Sequence, residues 1–256
     1  MSEFDEWCNK EDKEVNGQDL TLLTTDDDRA VIGLEAVAAI VPAHYVSGER
    51  YARILDRLGK PGAAAYLRDK LPKSKKTRSG DLGEIIAISY IEEQTVWDQT
   101  VMKLRWKDHR EMAMRGDDLL AVGIDDENKT QFLKGESKSR ATLSAAPITA
   151  ARAALNKDDG RPTPHALSFL ADRLYEEGRE EIADRIDKAQ YVDGIYDEQI
   201  SHMIFTFSGN DPTTFLETDL NNYTGNVYQF SVGLRIGTHQ TFIKDVFDKV
   251  SANGDA

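Results

Sequence analysis

Apolar residues recur along this chain with two different periods, and the alternation between them outlines the elements. Residues 29–41 repeat at helical spacing and run into Pro42. A second helical stretch, 48–58, stops at Gly59-Lys60-Pro61, and a third, 62–71, stops at Pro72. Residues 79–84 then open a strongly apolar helix through Ile85, Ile86, Ile88 and Ile91, for which Ser79 or Asp81 is the candidate cap. Three strand-like runs follow at 100–106, 117–124 and 130–138. Turn-forming residues at 125–129 join the last two as a hairpin. An alanine-rich helix covers 142–156. Beyond a polar break at 158–162 come two charged amphipathic helices within 164–190, interrupted near Gly178. Strands at 202–207 and 227–236 and an amphipathic helix at 238–250 close the chain.

These elements predict an α/β fold with a central mixed sheet flanked by helices. Four segments are expected. Residues 1–28 read as an acidic mobile tail, with ten acids, two bases and little apolar periodicity. Residues 29–78 form a helical segment with a basic loop. Residues 79–158 carry the central helix, three strands and a helix, and residues 159–256 add a second layer on the same core.

Charge changes this picture in two ways. The net charge of -13 is awkward for a protein that would grip nucleic acid by itself. The charge is unevenly distributed, however. Arg68, Lys70, Lys73, Lys75, Lys76 and Arg78 lie together with one acid, Asp69, among them. This cluster is either a solvated loop or a surface for phosphate or a partner. Cys8 is the only cysteine, so no internal disulfide forms, and a reducing, cytoplasmic setting is expected. No apolar run reaches the roughly 20 residues of a membrane span. A phosphate-cradling Gly-x-x-x-x-Gly-Lys-Ser/Thr loop, a Gly-x-Ser-x-Gly elbow and histidines at metal-ligand spacing are all missing. Trp97, Trp106 and Phe132 read as core residues.

The candidate chemistry sits on the last two strands of the middle segment. Strand alternation places Phe132, Lys134, Glu136 and Lys138 on one face. A carboxylate and an ammonium at a half-buried strand end are costly unless they are paired or bind a metal. Gly135 leaves room for a close approach beside Glu136. The hairpin brings Asp117 and Asp118, at the start of the preceding strand, toward Glu136. A one-residue change of register would exchange the two aspartates. Two carboxylates from adjacent strands suit a hard divalent cation, and a nearby lysine can stabilise charge developing on a phosphate. An ordinary surface hairpin with a Glu–Lys pair satisfies the same pattern, and the residues alone leave both readings open.

The succession Gly83-Glu84, then Arg115-Gly116-Asp117-Asp118-Leu119-Leu120, then Gly135-Glu136-Ser137-Lys138-Ser139 resembles the PD-(D/E)XK nuclease core, which has the restriction-endonuclease-like fold. More narrowly it resembles the HamA family, nuclease subunits of the Hachiman antiphage defence system. The likeness is strongest over residues 79–156. It implies Asp118 and Glu136 as metal ligands for Mg²⁺ or Mn²⁺, Lys138 as the catalytic lysine, and Glu84 as the helical glutamate that completes the site. Glu84 also reads simply as a solvent-facing helix acid. The proline that names the superfamily is absent, since Gly116 and Asp117 stand before Asp118. DNA as substrate and a HamB-like helicase subunit as partner follow from the resemblance alone. A non-catalytic adaptor with a degenerate nuclease fold is the alternative.

Overall fold

The computed structural model describes residues 3–112, 114 and 116–253. Its centre is a six-stranded sheet in the order β1-β2-β6-β5-β4-β3. The strands are β1 (Asn9–Val15), β2 (Gln18–Thr25), β3 (Leu119–Ile124), β4 (Thr130–Arg140), β5 (Ile200–Ser208) and β6 (Tyr228–Ile236). β2, β6, β5 and β4 are mutually parallel, and an antiparallel partner closes each edge, β1 on one side and β3 on the other. The expected α/β architecture with a mixed sheet is therefore present. β5 is buried along its whole length, as a central parallel strand covered on both faces must be.

Alternation decides which helices cover which face. Met203, Phe205 and Phe207 of β5 point into the larger core, with Leu133 of β4 and Val232 and Leu234 of β6. Over that face pack α2 (Asp27–Tyr45), α4 (Lys75–Gln94) and α9 (His239–Asn253), with α3 (Gly48–Lys70) beside them. Ile204 points the other way, toward α5 (Ala145–Leu155) and α8 (Thr213–Asn222). Phe132 and Val122 meet α6 (Pro164–Glu176) and α7 (Glu180–Lys188) on the same side. α4 is buried through Ile85, Ile86 and Ile91. Truncating one of these to alanine costs about 2–5 kcal/mol.

The structure corrects four expectations. Residues 1–28 are not an acidic mobile tail. Within that range, residues 4–25 form the short helix α1 (Phe4–Trp7) and the β1–β2 hairpin, and residues 26–28 cap and open α2. Trp7 is fully buried and lies so close to Gly33 of α2 that a Cβ there would fall 2.5 Å from its ring. Cys8 is buried beside it, and burial pushes its thiol up to about 12. Second, residues 100–106 are not a strand. Only Gln99 bridges β3, through Val122, after which the chain turns into a 3-10 turn at Lys103–Trp106. Arg105 anchors that turn by donating to the Ala43 carbonyl at 2.8 Å. Third, α4 begins inside the basic segment, capped by Ser74 through Thr77 N–H, because Asp81 and Ser79 are engaged elsewhere. Fourth, α2 runs through Pro42 to Tyr45, whereas the break expected at Gly59 is present, as a kink with non-helical backbone (φ 69°) between two helical halves of α3.

Candidate active site

The candidate site lies where β4 approaches its C-terminal end and β3 begins. Leu119 pairs with Gly135 in the antiparallel β3–β4 register, so the preceding residue, Asp118, comes opposite Glu136. Close approach at Gly135 does occur, but to β3: a Cβ there would meet Leu119 Cβ at 3.0 Å. Lys138 donates to Asp118 Oδ2 at 3.2 Å and to Glu136 Oε2, so its ammonium bridges the two carboxylates. Asp118, Glu136 and Lys138 are thus brought together as expected.

The same geometry separates the two aspartates. Asp117 Oδ2 accepts from Thr163 N–H at 3.0 Å, and its Oδ1 lies 3.8 Å from Lys134 Nζ. It steadies the head of α6, where Thr163 is the cap. Asp118 turns instead to Lys138 and Glu136. Arg115, the first residue of the quoted Arg-Gly-Asp-Asp run, lies outside the described residues.

The carboxylates differ in their readiness to ionise. Burial pushes Glu136 up to about 7, reinforced by the charge of Asp118 and the hydrogen bond between them, while Lys138 opposes. Burial acts on Asp118 in the same direction, but Lys138, the bond with Glu136 and Lys103 together hold it below the ordinary range. Burial also lowers the Lys138 ammonium, and the two carboxylates more than reverse this. One carboxylate of the pair therefore stays ionised while the other holds a proton near neutrality.

Glu84 approaches from α4. It is mostly buried, not solvent-facing, and burial raises its pKa, with Asp118 and Asp81 adding to the rise and Lys103 opposing it. Lys103 Nζ lies 3.2 Å from Glu84 Oε2 as an ion pair without hydrogen-bond alignment, and it donates to the Asp117 carbonyl at 3.2 Å. Beside Asp118 a cleft of about 240 Å³ is lined by Lys103, Lys107 and Asp117 on one side and by Trp106, Phe169 and Leu170 on the other.

A family model described as HamA matches residues 2–250. The chain belongs to the HamA family. It is 28% identical to the Hachiman protein HamA of Bacillus cereus over 262 residues, covering 98% of this chain and 92% of that protein.

Two residues of this HamA-family site were not anticipated from the sequence. Lys103 links Glu84 to the Asp117 backbone from a 3-10 turn that carries no motif. Asp81, one turn before Glu84, is almost fully buried and accepts from Lys107 at 2.7 and 2.8 Å and from Tyr45 Oη at 2.7 Å. This network pins the segment leading toward Asp118 onto α4. A buried aspartate within an apolar helical run was the available signal.

The donor chemistry of Glu84, Asp118 and Glu136 is all carboxylate oxygen, which suits a hard divalent cation. Glu84 Oε2 is buried without a hydrogen-bond partner among the described residues. Among the described residues no three His, Cys, Asp or Glu side chains are already arranged around one metal position. The ammoniums of Lys138 and Lys103 stand between the carboxylates, so the set fits a cation in kind, with Lys138 turning aside to admit it. No single helix among the described residues is long and apolar enough to cross a membrane.

Proposed function

We propose that this chain is a metal-dependent deoxyribonuclease with a PD-(D/E)XK core, the effector subunit of a helicase–nuclease antiphage complex. The observation that carries this reading is the convergence of Asp118, Glu136 and Lys138 at the β3–β4 end, with the buried Glu84 carboxylate beside them. Asp118 and Glu136 would hold Mg²⁺ or Mn²⁺, and the bound ion would polarise a phosphate oxygen and lower the pKa of its water. Lys138 places a positive charge where negative charge grows on the phosphate. Lys103 pairs with Glu84 and offsets its charge beside Asp118. Choice of DNA and of a HamB-like helicase partner rests on the family.

The test is plasmid cleavage. Supercoiled DNA and Mg²⁺ are incubated with the protein, alone and with the neighbouring helicase and ATP, beside the double variant Glu136→Ala, Lys138→Ala. Metal-dependent nicking or degradation that vanishes in the variant is expected, with a loss of about 10²- to 10³-fold or more. Intact supercoiled, linear and single-stranded DNA in every reaction would favour a second reading, the non-catalytic adaptor. One observation favours that alternative: Lys138 already satisfies both carboxylates, as a purely structural ion cluster would.

A further inference from the structure

We infer that a basic groove beside the candidate site binds the phosphate backbone of nucleic acid and leads it to Lys138. The inference rests on the nuclease reading and adds the surface that reading lacks. The groove, about 660 Å³ in volume, is lined by Lys73, Lys75, Lys76, Arg78, Arg140 and Lys244. Asp248 is the one acid on its wall, and it is occupied by Lys244 at 2.8 Å and Arg78 at 3.8 Å. Lys73, Lys75, Lys76 and Arg140 are exposed and make no ion pair among the described residues. In a chain of net charge -13 such a concentration of uncompensated cations is not a sample of the average surface.

The second observation is where these cations stand. The first turn of α4 holds Lys75, Lys76 and Arg78 and no acid. Positive charge at a helix N-terminus opposes the macrodipole and costs a few tenths of a kcal/mol per residue. Glu111 answers part of this charge, its carboxylate accepting from the Lys73 and Ser74 N–H groups at 2.6 and 3.3 Å, while Lys75 and Lys76 stay exposed with no ion pair among the described residues, so their ammoniums remain available to a ligand of opposite charge. The first residues of α9, His239 to Thr241, face the same groove, so a second helix N-terminus adds its N–H groups to the field.

Position links the groove to the chemistry. Arg140 follows Lys138 by two residues on β4, a span of about 7 Å. α4 is fixed to that strand by Ser79 Oγ to Ser139 Oγ at 2.8 Å. It also packs so closely at Gly83 that a Cβ there would lie 3.0 Å from Ser139 Cβ. The helix that brings the cations also carries Glu84.

The test measures binding of a short fluorescein-labelled DNA duplex by anisotropy, with EDTA present to prevent cleavage, from about 50 to 200 mM salt. The full chain is compared with Lys75→Glu, Lys76→Glu and with Arg140→Ala. The double variant should bind about tenfold more weakly or worse, and the slope of log affinity against log salt should flatten by about two. Its Tm should hold, because both positions are exposed and make no ion pair among the described residues. Equal affinity, no binding by the unaltered chain at low salt, or a loss of Tm that parallels the loss of binding would each overturn the inference. Plasmid cleavage separates this from the nuclease reading. Binding through the groove without cleavage by any preparation would sink the nuclease and leave the groove. Cleavage with unchanged binding in the variant would do the reverse.

Discussion

The sheet ends in a hairpin at each edge, and both hairpins are rich in charge. In β1 the run Lys10-Glu11-Asp12-Lys13-Glu14 lies largely in solvent, with ion pairs such as Lys10–Asp12 at 3.6 Å and Lys13–Glu11 at 3.4 Å. Such pairs contribute little, about 0–1 kcal/mol, and serve mainly to keep an unpaired edge from meeting another strand. In β4 the charges are drawn inside. Lys134 is 1% exposed and Glu136 is 9% exposed. Each buried charge then has to find a fixed partner: two carbonyls and Asp117 for Lys134, the Asp118–Lys138 cluster for Glu136. Both strands carry acids and bases within a few residues of each other, consecutively in β1 and at alternate positions in β4. Burial is what turns one into a solubilising fringe and the other into groups with shifted ionisation.

The sharpest way to break this comparison is to remove one buried cation. Lys134 donates to the carbonyls of Lys157 and Arg161 at 2.9 and 2.8 Å, tying β4 to the turn before α6. Lys134→Ala leaves two carbonyls and a carboxylate without their partner and should lower the free energy of unfolding by about 3–5 kcal/mol. Lys10→Ala on β1 should change it by less than about 0.5 kcal/mol. Urea titration of both variants checks the contrast, and similar midpoints would show that Lys134 is not the structural cation assigned here.

The adjacent aspartates offer the next division. Asp117→Asn weakens the hold on Thr163 N–H and the pairing with Lys134, and it should cost about 2 kcal/mol of stability while sparing part of any cleavage. Asp118→Asn should leave stability nearly intact and abolish cleavage. If the two variants exchanged phenotypes, the assignment of Asp118 to the site would be wrong.

How much of this could be read in the sequence depends on the distance over which each signal acts. The β3–β4 hairpin was legible because alternation and the turn at 125–129 are local, and they suffice to set Glu136 near Asp118. Lys103 was not legible, because its approach to Glu84 depends on a turn packed by Arg105 against Ala43, far away in the chain. α8 went unread because it is short, with only Leu216 and Leu220 buried. The N-terminal misreading has a different cause. Acid count outweighed two local cues, the Asn16-Gly17 turn pair and the aromatic pair Phe4 and Trp7, which stack at 5.4 Å. An edge strand carries almost no hydrophobic alternation, so composition alone mistakes it for a tail.

Acid sharpens the comparison in another way, since β5, the strand beside β4, carries a buried imidazole and the β1–β2 hairpin has no histidine. His202 Nε2–H donates to the Gly160 carbonyl at 2.7 Å, and its Nδ1 accepts from the Gln229 amide at 3.2 Å. Burial lowers it to about 4, and Arg152 and Lys134 push in the same direction, with the Gly160 bond opposing. The unfolded chain binds this proton from about pH 6.5, whereas the folded chain waits until about 4. Stability should therefore fall as pH drops through that window, by about 1.4 kcal/mol per pH unit for this one residue. His202→Gln should flatten the slope by that amount in urea titrations at pH 6.5 and 5. An unchanged slope would mean that the imidazole is protonated in the fold.

A smaller effect belongs to the turn at the opposite edge. Gly17 sits at φ 70° in the β1–β2 turn, after Asn16 at φ 54°, and a Cβ added there meets nothing within 4 Å. Gly17→Ala therefore introduces no clash with neighbours, and its cost is that of the left-handed backbone alone, about 1 kcal/mol. Gly17→Asn should cost less, because asparagine tolerates that region. Unfolding of the two variants, read by urea, isolates the contribution of the hairpin turn from that of Trp7, which lies at the other end of β1. If Gly17→Ala were neutral, the turn would not hold β1 in register, and the buried aromatic pair alone would keep this edge on the sheet.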